Sequence, residues 1–241
     1  MARTAVTTAF VFNGAVIGTW TSRVPAVTSH VHADPATLGL ALLCSSFGLI
    51  IAAPVASRLC ARFGARFVVT PSIVLSCIAL PLIGLAPSVQ WLGAAMFGIG
   101  MAIGAQDVSM NIGAVAVVRQ LDRPLMPKFH AAYSFGALGG GVVAGLVVIL
   151  GWTPLRHFTV VAVVGLVVAG FVARYMPVGR PVADRPKQSR VRFVPPIRRP
   201  VMWLMAGIML ADAIAEGANG DWSALFLVRE RGVVESAATV G

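Results

Sequence analysis

Acidic and amide side chains recur at one-turn spacing on the long apolar segments of this sequence. Asp107 and Asn111 are four residues apart, Asp212 and Glu216 are four apart, and Asn219 follows three residues later. Side chains at these spacings share one face of a helix. Carboxylates and amides on such a face can bind a proton or hydrogen-bond a polar solute inside a membrane. With an amide on the first segment added, the candidate binding residues are Asn13, Asp107, Asn111, Asp212, Glu216 and Asn219.

Hydrogen bonding between helices is the competing interpretation of these side chains. Amides such as Asn13 or Gln106 often join neighbouring membrane helices, and for either residue alone that structural role is favoured. The carboxylates Asp212, Glu216 and Asp221 fall within ten positions, which such bonding explains poorly. Asp221 also lies near a segment end, where simple solvation is an open alternative. We expect the polar faces to line a water-filled path.

The composition places the chain in lipid. Hydrophobic residues make up 57% of the sequence and charged residues 12%, whereas soluble domains carry about 25% charged residues. So few charges cannot cover the surface of a soluble fold. The net charge of +10 is carried between apolar runs, which indicates membrane topology rather than nucleic-acid binding.

Seven apolar segments are long enough to span a bilayer as helices, for which about 20 residues are needed. Apolar runs of this length exclude barrel strands, which would alternate in polarity. The sequence therefore predicts an all-α membrane protein. The predicted segments are 5–22, 36–57, 67–86, 91–118, 131–151, 155–174 and 201–228.

The basic residues predict the orientation of these segments. With the N-terminus in the cytoplasm, fifteen of the 19 lysines and arginines lie on the cytoplasmic side, as the positive-inside rule requires. We expect a multi-pass protein of the cytoplasmic (inner) membrane with a cytoplasmic N-terminus. Seven spans then place the C-terminus outside, opposite to a seven-helix receptor or a retinal protein. The four exceptions are Arg23, Arg156, Arg229 and Arg231.

Other reactive side chains give no sign of catalysis. His30 and His32 lie in a predicted outer loop, where solvation is favoured over weak metal binding. For His130, at the inner mouth of the fifth segment, an interfacial role is favoured over a proton relay. Hydrolase, zinc-protease and phosphate-loop motifs are absent, so we expect no enzyme, cofactor or metal. Three thiols match no metal-site spacing and are interpreted as reduced packing residues: Cys44, Cys60 and Cys77.

A short motif recurs near the predicted outer ends of the first and seventh segments. Gly18-Thr19-Trp20-Thr21 and Gly220-Asp221-Trp222-Ser223 both follow the pattern Gly-x-Trp-[Ser/Thr]. A six-helix unit repeated along the chain would produce this relation, although chance stays open for so short a match. The basic segment 175–200 is then interpreted as a linker between two halves.

The connection between the second and third segments carries the clearest family resemblance. It resembles the loop Gly-x-x-x-Asp-Arg-x-Gly-Arg-Arg of the major facilitator superfamily: Arg62, Gly64 and Arg66 fit, while Ser57 and Ala61 replace the Gly and the Asp. The polar segments 1, 4 and 7 match the helices that line the cavity of that family. A cytoplasmic gate is implied for this loop, with Arg58, Arg62, Gly64 and Arg66.

A narrower resemblance, to the fucose-permease-like bacterial branch, rests on a second set of residues. They are Asn13-Gly14, Trp20-x-x-Arg23-x-Pro25 and Asp107-x-x-x-Asn111, together with His130 and Glu216.

The resemblance implies a bundle of about seven of twelve helices, each six-helix half being built from inverted three-helix repeats. Residues 1–174 would form the first half, 175–200 a basic cytoplasmic linker and 201–241 the first helix of the second half. The implied activity is secondary transport of a small polar, sugar-like solute by alternating access, with proton coupling. The implied partners are the bilayer, the solute, a proton and a second chain that supplies the missing helices. A non-transporting fragment or half-transporter interaction module is the alternative; a membrane sensor would need a signalling domain that the sequence lacks.

Overall fold

The computed structural model describes residues 1–179 and 200–238, except the side chain of Glu216. Within these ranges all regular structure is α-helical, which confirms the predicted all-α class. Of the predicted linker 175–200, residues 180–199 lie outside the described part. The helices are α1 (Ala2–His30), α2 (Pro35–Phe63), α3 (Arg66–Gly84), α4 (Val89–Leu121), α5 (Met126–Ile149), α6 (Pro154–Tyr175), α7 (Pro200–Arg231) and α8 (Glu235–Ala238).

Local sequence signals set where three of these helices begin. Asp34 caps α2 by accepting a hydrogen bond from the backbone N–H of Thr37 at 2.8 Å. Ser88 caps α4 and Thr153 caps α6 in the same way, each at 3.3 Å. A capping oxygen satisfies an N–H group that has no partner inside the helix.

Among the residues that the structure describes, six helices, α2 to α7, are long and apolar enough to cross a membrane. The exception is α1, which carries several threonines and Asn13 along its 29 residues. More than half of α1 is buried against other helices, so little of its surface needs to be apolar. Together the long helices form the multi-pass membrane protein that the composition predicted.

The helices pair in a pattern with internal two-fold symmetry. Helix α2 packs along α4, α1 packs along α5, and α3 packs on α6. If α1, α2 and α3 are exchanged with α4, α5 and α6, the α2–α4 pair becomes the α5–α1 pair. The α3–α6 pair is unchanged by this exchange. The arrangement matches two inverted three-helix repeats.

Glycines bring the paired helices into backbone contact. A Cβ atom on Gly18 would overlap the carbonyl oxygen of Ala137 in α5. A Cβ atom on Gly100 of α4 would likewise overlap the carbonyl oxygen of Ser45 in α2. Small residues are what allows such close approach between membrane helices.

The bundle has two ends, which we call basal and distal. The basal end holds the start of α1, the α2–α3 turn and the end of α6; the distal end holds the α1–α2, α3–α4 and α5–α6 connections. At the basal end Gly64 adopts a positive φ of 96° and packs against the carbonyl oxygen of Val178. The N–H of Ala65 donates to the carbonyl oxygen of Gly179 at 3.0 Å. The α2–α3 turn therefore holds the chain that leaves α6.

Candidate functional site

A polar face on α4 holds the first pair of predicted site residues together. The amide nitrogen of Asn111 donates to the backbone carbonyl of Asp107 at 2.9 Å and to its carboxylate at 3.1 Å. Asp107 is exposed and Asn111 is half-buried. The amide thus fixes the carboxylate while leaving it able to accept further hydrogen bonds from a solute or to take up a proton.

An imidazole on α5 joins this face. His130 lies within electrostatic range of Asp107, and its ring packs edge-on against Phe10 with 5.5 Å between ring centroids. Helices α4 and α5 therefore present a carboxylate, an amide and an imidazole side by side. This combination binds hydroxyl groups and can exchange protons.

The amides of α1 and of the middle of α4 are buried. Asn13 is 3% exposed and Gln106 is 1% exposed. The amide nitrogen of Gln106 donates to the carbonyl oxygen of Ala9 at 3.2 Å, so Gln106 joins α4 to α1, the structural role favoured from its type. Asn13 lies one turn further along α1 than Ala9, and its amide nitrogen is buried with no hydrogen-bond partner among the described residues.

The predicted residues of α7 stand apart from the α4 face. Asp212 and Asn219 are exposed, and the side chain of Glu216 lies outside the described part of the structure. Asn219 accepts a hydrogen bond from the hydroxyl of Ser223 at 2.7 Å. Asp107 and Asn111 are brought together, whereas the α7 residues remain on their own helix.

Helices α1 and α7 meet at the distal end through the repeated Gly-x-Trp motif. The indole nitrogen of Trp20 donates to the carboxylate of Asp221 at 3.3 Å. A Cβ atom on Gly220 would lie 3.5 Å from the side-chain methyl of Thr21. The two copies of the motif therefore contact one another, and Asp221 is half-buried rather than freely solvated.

An ion pair beside this contact was not predicted from the sequence. Arg23 is 2% exposed and pairs with Glu235 of α8 at 3.1 Å, and it also donates to the carbonyl of Trp152. Burial raises the pKa of Glu235, and the nearby Arg23 offsets part of that rise. From the sequence, Arg23 is one of the four outer basic residues and part of the Trp20-x-x-Arg23-x-Pro25 pattern, with no partner predicted. Its place at the end of an apolar segment could have indicated a partner, because a buried charge needs one.

The residues of the predicted gate loop occupy helix ends rather than a loop. Arg58 and Arg62 lie on the last turns of α2, because the helix continues beyond its apolar stretch to Phe63. Gly64 makes the turn, and Arg66 begins α3 and donates from Nε to the carbonyl of Met176. The four residues share the basal end, and their role in a cytoplasmic gate stays a prediction.

Comparison with known families decides which family this fold represents. The family model of the Major Facilitator Superfamily matches residues 5–240. The chain belongs to this superfamily. It is 34% identical over 238 residues to an uncharacterized transporter, y4wD, of Sinorhizobium fredii, with 98% of this chain and 62% of that protein covered. It is 32% identical to an MFS-type transporter of Yersinia pestis, with 97% of this chain and 59% of that protein covered.

Solved structures show the same fold. The chain superposes on the nucleoside transporter NupG (D323A mutant) with a TM-score of 0.76 at 11% identity, covering all of this chain and 63% of NupG. It superposes on a bacterial homologue of the human lysosomal transporter Spinster, solved in an inward-facing and unoccupied conformation. That match has a TM-score of 0.71 at 19% identity and covers 98% of this chain and 57% of the homologue. The chain thus spans about three fifths of the length of the proteins it matches.

These comparisons confirm the predicted superfamily and the all-α membrane fold. The relatives carry names of transporters, which agrees with the expectation that the chain is not an enzyme. The narrower resemblance to fucose-permease-like members stays a prediction.

Proposed function

We propose that this superfamily member takes part in secondary transport of a small polar solute across the inner membrane by alternating access. The contact between α7 and α1 is the observation that supports this function most directly. Helix α7 contacts α1 around Gly220 and Asp221, whereas from Val201 to Asn219 the described side chains of α7 are exposed. This pattern supports a solute path that is closed at the distal end, where the two helices meet, and open at the basal end.

The exposed polar groups support a path of this kind. Asp107 and Asn111 face the open side of α4, and Asp212 and Asn219 are exposed on α7. The proposed residues are three amides and three carboxylates, which can hydrogen-bond the hydroxyl groups of a neutral solute such as a sugar, and one of the carboxylates would be the coupling proton site. The proposed binding residues remain Asn13, Asp107, Asn111, Asp212, Glu216 and Asn219.

We assign the basal end to the cytoplasm on the basis of the basic residues of the sequence. The α2–α3 turn with Arg62, Gly64 and Arg66 then lies on the cytoplasmic side. Residues 1–174 form the first six-helix half in this proposal, residues 175–200 the linker and residues 201–241 the start of a second half.

The test combines uptake with a direct measure of distal closure. The cysteine pair Thr21→Cys and Gly220→Cys should form a disulfide on mild oxidation, because the Cβ position of residue 220 lies 3.5 Å from the Thr21 methyl. The matched controls are Thr21→Cys alone and Gly220→Cys alone, each of which lacks the second thiol of the pair. Native thiols are removed first by Cys44→Ser, Cys60→Ala and Cys77→Ala.

Uptake is measured in liposomes with an imposed proton gradient and a panel of labelled sugars and polyols. We expect saturable uptake that oxidation of the distal pair blocks and dithiothreitol restores, and that oxidation of either single-cysteine control leaves unchanged. Asp107→Asn should lower uptake at least tenfold, since a binding or coupling carboxylate is lost. Absence of uptake by a folded chain with a closed distal pair would instead favour the alternative, a half-transporter module that pairs with another chain.

A further inference from the structure

Arg23 occupies an unusual position for a permanently charged residue. Its side chain is 2% exposed at the distal end of α1. One terminal nitrogen donates to Glu235 at 3.1 Å and the other donates to the carbonyl of Trp152. Within residues 1–179 and 200–238, its third donor atom, Nε, is buried with no hydrogen-bond partner.

An unused acceptor is buried beside this unused donor. His157, in the first turn of α6, is 1% exposed and lies within electrostatic range of Arg23. Neither of its ring nitrogens has a hydrogen-bond partner in the part of the chain that the structure describes. A neutral imidazole carries one acceptor nitrogen, and leaving it unused inside a protein costs free energy. Such a group calls for a partner in another state of the protein.

The members of this cluster belong to parts of the chain that move differently under the proposed function, on which this inference rests. Arg23, Trp152 and His157 lie within the first six helices, and Glu235 lies on α8, after α7. Opening the distal end separates α7 and α8 from α1. Glu235 then leaves the cluster, whereas His157 stays.

Separation would leave a buried guanidinium without its carboxylate, which is strongly unfavourable. The neighbouring cation cannot replace the carboxylate, because Arg156 is itself positive and stacks over the Trp152 ring at 4.2 Å. We propose that His157 accepts a hydrogen bond from Arg23 when the distal end is open, and so acts as the positioning residue of that state. Arg23 thereby exchanges a carboxylate partner for an imidazole during each cycle.

The experiment measures how often the distal end opens. The thiol introduced by Gly220→Cys, in the background without native cysteines, is half-buried against α1 and should react with a membrane-impermeant maleimide only on opening. Loss of the acceptor in His157→Phe should lower the labelling rate about tenfold, the effect of one hydrogen bond to a charged group. His157→Gln keeps an acceptor oxygen and should restore most of the rate. Folding is checked by monodisperse elution in detergent, and Val234→Cys, at an exposed position, gives the reference labelling rate.

Replacing Arg23 distinguishes loss of the Arg23–His157 hydrogen bond from a packing effect of the His157 variants. In an Arg23→Met background, His157→Phe and His157→Gln should label at the same rate, since the donor is gone. An effect of His157→Phe that persists without Arg23 would overturn the proposal, as would equal losses in the Phe and Gln variants. If position 220 is not labelled in any background while position 234 is labelled, the distal end does not open, and the proposal is overturned. Labelling unchanged by either His157 variant would overturn only the role of His157.

Discussion

The indole nitrogen of Trp20 and the carboxylate of Asp221 meet at 3.3 Å across 201 positions of sequence. This hydrogen bond joins the two helices that carry the repeated motif. The bond joins α7 to α1 and does not join any two of the first six helices. It should therefore contribute to closure of the distal end and little to the stability of the six-helix unit.

Trp20→Phe keeps the ring and removes the donor. We expect about a fivefold loss of the closed population, from about 1 kcal/mol for one hydrogen bond. The rate of disulfide formation between Thr21→Cys and Gly220→Cys measures it. Trp91→Phe is the matched control, because the Trp91 indole bonds to the Leu82 carbonyl within the first six helices. An equal change in both variants would contradict a specific role for Trp20.

The ion pair at the distal end predicts a dependence on pH. Burial raises the pKa of Glu235 above its ordinary value of 4.5, and the nearby Arg23 offsets part of that rise. Because the carboxyl binds its proton more tightly when α8 is docked, docking is strongest below the ordinary pKa. It should weaken as the pH rises through the raised pKa.

Spin labels at two exposed positions, Leu40→Cys and Val234→Cys, report this docking as a distance distribution. The fraction of long distances should increase from pH 4.5 upward. Glu235→Gln removes the titrating group and should flatten the profile. A fraction that falls with rising pH would show that the ion pair outweighs the cost of burial.

The contact of α1 with α5 predicts a strong effect of side-chain size at Gly18. Gly18→Val places atoms on the carbonyl of Ala137 and should destabilise the chain by about 2 kcal/mol or more. Thermal unfolding in detergent measures the loss. Gly139→Val is the control on the facing helix, where a Cβ meets nothing within 4 Å of the described residues. Similar melting temperatures for the two variants would contradict backbone contact at Gly18.

The α2–α3 turn predicts a second pair of glycine variants. Gly64 and Gly151 both have positive φ, at 96° and 70°, but in the described structure only Gly64 packs against a neighbouring carbonyl. Gly64→Ala should therefore lower the melting temperature more than Gly151→Ala, which reports backbone strain alone. Susceptibility to trypsin beyond Val178 should rise in Gly64→Ala alone. Equal effects would show that Val178 does not depend on the turn.

The fold was predictable from hydrophobic run length, but the helix ends were not. The first segment was expected to end at residue 22, yet α1 continues to His30. Within the helix Arg23 is buried with a carboxylate and a carbonyl as partners, so its charge does not require water at this point of the chain. A partner 212 positions away leaves no pattern in the local sequence.

The site was predictable where spacing alone decides the geometry. The four-residue spacing of Asp107 and Asn111 predicted that they share a helix face, and the two side chains hydrogen-bond to each other. Asn13 carries the same amide as Asn111 but is buried, and which face of α1 is buried depends on how the helix packs against its neighbours. His130 comes within electrostatic range of Asp107 because α5 lies next to α4. Its position in the sequence alone favoured an interfacial role.

At Gly18 and Gly100 the backbones of the paired helices are in contact, so no side chain separates the helices at those two points. Side chains that change rotamer let packed helices shift by small, graded amounts, and these two points have none. The six helices can be expected to behave mechanically as one stiff block. Displacement of α7 and α8 is then expected at the side-chain contacts that Trp20 and Arg23 make with them at the distal end.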